Sequence, residues 1–173
     1  MWTSFWYQLI PILLTMEYWG GILNMKASYE KPTIESEFAV ITYLDRLKYA
    51  LQSGSATVNF QQNRLVDTAR DRKYTNRHTM LTLFPDEDEV TVLKRELASL
   101  TVHDYIETVK DIRFPKRPDM RVFGKAYSTE DVYIKIRVEL VGGMGSNYIL
   151  VMSFHFAETE FVEADFPYRK RGE

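Results

Sequence analysis

The residues best suited to chemistry lie in two short stretches in the last third of the chain. Tyr133, Lys135 and Arg137 take alternate positions between Val132 and Val138, and Ser153 and His155 take alternate positions within Tyr148 to Phe156. This is the period-two pattern of a strand with one buried face, so each stretch gathers its polar residues on one side. If Ile134, Ile136 and Val138 face a core, the second strand contributes Leu150, Met152 and Phe154, because a slip of one residue would bury Ser153 and His155 instead. That register sets Tyr133 opposite His155, Lys135 opposite Ser153 and Arg137 opposite Val151, with Gly142-Gly143-Met144-Gly145 as the turn. A phenol, an ammonium, a guanidinium and an imidazole then share the open face. Metal-free cleavage of RNA needs a base for the 2′-hydroxyl, an acid for the leaving 5′-oxygen and fixed positive charge for the phosphorane-like transition state, and these groups can supply all three. The competing reading is a solvated outer face of mixed composition, in which Tyr133 and His155 tolerate substitution.

The charge distribution bears on the same question. The formal net charge is only -2, so a preference for an anionic partner must come from where the charges sit. Between Lys110 and Lys125 six basic residues stand against two acids. Among them Lys116, Arg117, Arg121 and Lys125, together with Arg137, are the candidate RNA contacts. A second basic excess runs over Arg64, Arg70, Arg72, Lys73 and Arg77, and a third over Arg169, Lys170 and Arg171.

Other chemistries are poorly served. The chain has no cysteine, which removes disulfides, thiolate zinc sites and a cysteine nucleophile together. His78, His103 and His155 are far apart and fit no ligand spacing, so neither a metal nor a cofactor is expected. No nucleophile elbow of the G-x-S-x-G type is present, and the glycine-rich turn has neither Walker nor dinucleotide spacing.

The elements that position these residues can be read from periodicity. With 45% apolar residues in a chain of 173, one domain with a real core is expected. Pro32 and Thr33 suggest a helix start, followed by Ile34, Phe38, Ile41, Leu44, Leu47 and Leu51 as its apolar face. Ala56 to Phe60 reads as an edge strand, and Asn63 to Leu83 as helical, in one or two pieces. Four acids, Asp86 to Glu89, precede Val90, Leu93, Leu97 and Leu100 and suit the positive end of a helix dipole better than a cation site. Lys110 to Pro118 reads as a loop and Arg121 to Tyr127 as a strand ahead of the hairpin. The expected fold class is α+β, with N-terminal helices packed on one side of a three- or four-stranded antiparallel sheet.

Residues 1-24 form an apolar extension ahead of a single domain spanning 25-173. The longest apolar run in the extension is too short to cross a bilayer, and no basic residue precedes Lys26 as a secretory signal would require. It is either an upstream extension outside the native start or an extra helix or hairpin capping the domain. No membrane association is expected, and the expected location is the cytoplasm.

Several short motifs occur in a fixed order: Leu100-Thr101-Val102-His103-Asp104-Tyr105, Val122-Phe123-Gly124-Lys125, Val132-Tyr133-Ile134-Lys135-Ile136, Ser153-Phe154-His155 and Phe166-Pro167-Tyr168-Arg169. In these the chain resembles the MqsR-family toxins of bacterial type II toxin–antitoxin systems, over roughly Ile34 to Arg169 in layout and with motif specificity from Leu100 onward. The resemblance implies a RelE-like fold and an mRNA endoribonuclease, or mRNA interferase, neutralised by a cognate antitoxin protein. It also implies that Tyr133 and His155 form the catalytic surface, with Lys135 as the lysine of the same strand motif. The chain departs from the family pattern in three places. Arg121 stands where an aromatic residue is common, Glu107 where the best-known members use a lysine, and Val122 nearest to where they use a glutamine. The alternative function is a non-catalytic RelE-like module that binds nucleic acid or protein through the same basic face.

Overall fold

The computed structural model describes residues 30–54, 56–64, 69–139 and 147–169 in full, and the backbone of 13–19 and 22–28. In the N-terminal region, β1 (Leu13–Trp19) and β2 (Ile22–Ser28) pair antiparallel. The rest is α+β. Three helices, α1 (Glu37–Gln52), α2 (Asn76–Leu83) and α3 (Glu89–Ala98), accompany β3 (Glu30–Thr33), β4 (Ala56–Phe60), β5 (Tyr105–Asp111), β6 (Met120–Tyr127), β7 (Glu130–Glu139) and β8 (Asn147–Phe156). These last six strands make one open sheet in the order β3-β5-β6-β7-β8-β4, antiparallel except where β4 runs parallel to β8. The sheet is therefore wider than the three or four strands expected from periodicity. The additional strands are β3, a four-residue edge piece carrying Pro32, and β5, whose polar and apolar positions do not alternate cleanly. Among the described residues no helix is long and apolar enough to cross a membrane.

The helices lie where the sequence suggests, with changed boundaries and, for α1, a rotated face. Ser36 rather than Thr33 caps α1, its Oγ accepting from the Ala39 N–H at 3.3 Å, while Pro32 and Thr33 belong to β3. The buried stripe of α1 is Val40, Tyr43, Leu44, Leu47 and Ala50, and Ile34, Phe38 and Ile41 are exposed. Ile34 lies ahead of the helix, and within it the inward stripe runs at three- and four-residue spacing from Val40 rather than from Phe38 and Ile41. Of the helix anticipated from Asn63 to Leu83, the described residues show α2 with a 3-10 turn at Arg72–Tyr74 before it, and residues 65–68 lie outside the described residues. For α3 the acidic run acts as expected, Asp88 accepting from the Thr91 N–H at 2.9 Å.

The junction between β4 and β8 leaves a sheet edge that side chains must close. β4 covers the edge of β8 only from Asn147 to Val151, so the last part of β8 has no neighbouring strand on that side. Backbone groups in a buried strand must find partners. Two side chains of α2 supply them. Asn76, fully buried, donates to the carbonyls of Met152 (3.1 Å) and Gln61 (2.7 Å) and accepts from the Phe154 N–H (2.9 Å). Thr79 accepts from the Phe156 N–H at 2.8 Å. Gln61, just after β4, is thereby tied to the edge of β8, its own N–H donating to the Val151 carbonyl at 3.0 Å. The main core lies between the helices and the sheet, built from Val40, Leu44, Leu47, Leu93, Leu97, Phe123, Ile134, Ile136, Val151 and Phe154.

Candidate functional site

The site grows from the β7–β8 pairing. Tyr133 faces His155, Ile134 faces Phe154 and Lys135 faces Ser153, the register expected from the alternation. After Lys135 the pairing shifts by one, so Ile136 faces Val151 and Arg137 faces Leu150 rather than Val151. Such a bulge inserts an extra residue into one strand and exchanges the faces beyond it. As a result Phe154 and Phe156, then Val151 and Ile149, enter the main core. Leu150 and Met152, assigned to that core by strict alternation, pack on the opposite face with Val109, Met120 and Val122. The bulge lets β-branched Ile149 and Val151 fill the helix-facing side without turning Ser153 and His155 into it. The Gly142 to Gly145 turn lies outside the described residues.

The face carrying Tyr133, Lys135, Ser153 and His155 is not a solvated surface. His155 is 5% exposed, Lys135 7% and Ser153 2%. Three segments cover them. Residues between β4 and α2 supply Arg64 and Arg70, the stretch after β8 brings Glu158 and Phe161, and β3 brings Glu30, leaving a cavity of about 420 Å³. Gly124 of the Phe-Gly-Lys motif makes part of this cover possible. A Cβ there would lie 2.6 Å from the ring of Phe161, so only glycine lets that ring settle onto the sheet.

The rings of Tyr133 and His155 stack at 5.4 Å between centroids and 20° between planes. His155 Nδ1 lies 2.9 Å from the carbonyl oxygen of Phe156, which can only accept, so Nδ1 carries the proton. Nε2, 3.1 Å from the Arg70 guanidinium, is then the acceptor. Burial pushes the imidazole pKa below its ordinary value, and the guanidinium groups of Arg70 and Arg64 act in the same direction against the Phe156 carbonyl and Glu158. Burial pushes the Tyr133 phenol well above its usual range, with Glu107 and Glu30 adding to the effect. The half-buried Glu107 carboxyl is itself raised, by burial first, although Lys135 opposes the shift.

The cations around this pair are all engaged. Lys135 Nζ meets both carboxylate oxygens of Glu30 at 2.6 Å. Arg70 Nε pairs with Glu158 at 2.9 Å, and Arg64 donates to Ser153 Oγ at 3.1 Å. The structure thus brings together Tyr133, His155 and Lys135. It leaves the other sequence candidates elsewhere. Lys116 and Arg117 are exposed in the β5–β6 connection, with Arg117 over the Phe114 ring at 4.0 Å. Arg121 and Lys125 lie on the helix-facing side, Arg121 bonded to Glu35 at 2.8 and 3.0 Å and Lys125 to Glu96 and Ser99. Arg137 is on the open face but outside the cavity, paired with Glu139 at 2.7 Å.

Sequence reasoning noted Arg64 and Arg70 only as part of a basic excess and gave no role to Glu30 or Glu158. Their spacing carries no signal, because the sheet edge brings them to the site. The remaining motifs have structural roles. Tyr105 and Tyr168 stack at 5.9 Å, His103 Nδ1 bonds the Tyr168 carbonyl at 2.7 Å, and the Tyr105 hydroxyl meets Thr108 Oγ1 at 2.9 Å. No family model, curated protein or solved structure matches the chain.

Proposed function

We propose that the cavity over β7 and β8 is the active site of a metal-independent endoribonuclease, acting on mRNA as a toxin that a cognate antitoxin neutralises. The observation that carries this reading is the stacked Tyr133–His155 pair, whose ionisations are pushed apart within a cationic pocket. Two titratable groups driven in opposite directions are the signature of an acid and a base at one site. His155 stays neutral at pH 7 and presents Nε2 as the base for the 2′-hydroxyl. The 2′-oxygen attacks phosphorus, the bond to the 5′-oxygen breaks, and Tyr133 gives its proton to that oxygen, leaving a 2′,3′-cyclic phosphate and a 5′-hydroxyl. A raised phenol keeps its proton through the neutral range, and an alkoxide leaving group remains basic enough to take it. Arg70 and Lys135 supply the fixed positive charge.

Treating a 5′-labelled RNA with purified protein in excess EDTA tests the reading. Cleavage to cyclic-phosphate ends is expected, and activity that appears only when Mg²⁺ is restored would overturn the mechanism. A second reading, a non-catalytic module that binds nucleic acid or protein, is favoured by one observation: Arg70 contacts the nitrogen that would have to act as base. Binding of RNA without cleavage by the wild-type protein would select it.

A further inference from the structure

Two cations of the cavity around the Tyr133–His155 pair are held by carboxylates from outside β7 and β8: Glu30 on Lys135 and Glu158 on Arg70. In each pair the cation is the enclosed partner. The Lys135 side chain is 8% exposed against 46% for Glu30, and Arg70 is 26% exposed against 56% for Glu158. Carboxylates and phosphates offer ammonium and guanidinium groups similar oxygen geometry. An exposed carboxylate that leaves regains its water, whereas an enclosed cation needs another anion in its place. The two positions are also neighbours. Tyr133 and Lys135 are two residues apart on β7, roughly 6.6 Å along the strand, and His155 and Ser153 respectively face them on β8.

Resting on the nuclease reading for the identity of the ligand, we propose that the cavity is a two-phosphate site for one RNA strand. One phosphate is held by Arg70 beside His155 and the adjacent one by Lys135, and Glu158 and Glu30 occupy these positions until RNA displaces them. Arg64, bonded to Ser153 opposite Lys135, belongs to the same site. Displacing Glu158 also draws Arg70 toward the phosphate and uncovers His155 Nε2, so substrate binding itself frees the base.

Fluorescence anisotropy with a labelled 2′-O-methyl hexanucleotide tests this, because the blocked 2′-oxygen allows binding without cleavage. Glu30→Gln and Glu158→Gln should each tighten binding, by about threefold to tenfold for the loss of one competing ion pair. Lys135→Met should abolish the gain from Glu30→Gln while leaving that from Glu158→Gln, and Arg70→Met should do the reverse. Folded Gln variants, verified by circular dichroism, that bind no more tightly than wild type overturn the proposal. Should Glu30→Gln not fold, Glu30→Asp keeps the charge at shorter reach and should tighten binding to a smaller degree; unchanged or weaker binding overturns the proposal equally. Tightening in the Gln variants alongside a wild-type protein that cuts no unmodified RNA would overturn the nuclease and leave the phosphate site. Wild-type cleavage without tightening would do the opposite.

Discussion

Asn76 and Lys135 are both buried polar side chains against neighbouring strands of one sheet, yet their needs are met in opposite ways. On the helix-facing side, Asn76 and Thr79 bond to backbone groups that cannot move without unravelling β8. On the open side, Lys135 and Arg70 are met by Glu30 and Glu158, half-exposed side chains from an edge strand and a connecting segment. The first arrangement fixes a fold, because every partner is part of the ladder it completes. The second leaves charges whose partners can be exchanged, which a binding site requires. The difference separates polar groups that build the protein from those available to a ligand.

Breaking the fixed side should have the largest effect on stability. Asn76→Ala leaves the Phe154 N–H and two carbonyls without their partner in a buried setting, and a loss of about 3 kcal/mol is expected. Thermal melting checks it, and a change below about 1 kcal/mol would show that water replaces the amide. On the open side, Gly124→Ala should cost less, about 1–2 kcal/mol, because the Phe161 ring can shift away from the added methyl. Its mark should be on RNA binding, since the shifted ring is a wall of the cavity.

His155 gives a pH-dependent effect that sharpens the contrast. Its folded pKa lies below the unfolded one, so the unfolded chain binds more protons and stability rises with pH. The contribution is fully present above pH ~6.5 and fades as the pH falls through the depressed value. The difference in melting temperature between wild type and His155→Gln should therefore narrow from pH 7 to pH 5. A constant difference would mean that the imidazole is solvated. The smallest stability effect belongs to Lys116→Ala with Arg117→Ala, within about 0.5 kcal/mol for exposed loop sites. If these residues meet phosphates, the salt dependence of RNA binding should flatten by about one unit of slope per lost contact.

How far the sequence carries depends on how local the cause is. The β7–β8 register through Lys135 follows from alternation alone, as do α3 and its acidic cap, because neighbours in sequence decide them. The bulge at Ile136 does not, since it depends on how Ile149 and Val151 fit under the helices. The expectation that His155 is a surface residue fails for a similar reason. Its cover comes from Arg70, 85 positions earlier, and from segments on either side of the sheet. Arg121 and Lys125 look alike as exposed strand cations, and only the positions of Glu35 and Glu96 show that both serve internal pairs. Substituting His155 should accordingly cost about 1–2 kcal/mol, more than an exposed site would.

The most direct test of the acid–base site is single-turnover cleavage of one short RNA between pH 5 and pH 9, by wild type and by folded His155→Ala. The wild-type rate should rise with pH through a midpoint below the ordinary histidine value of ~6.5 and then stay flat to pH 9, since Tyr133 keeps its proton throughout. His155→Ala should be slower by on the order of 10²-fold and lose the acid limb. A folded His155→Ala protein that cuts at the wild-type rate, with the same pH profile, would contradict the account.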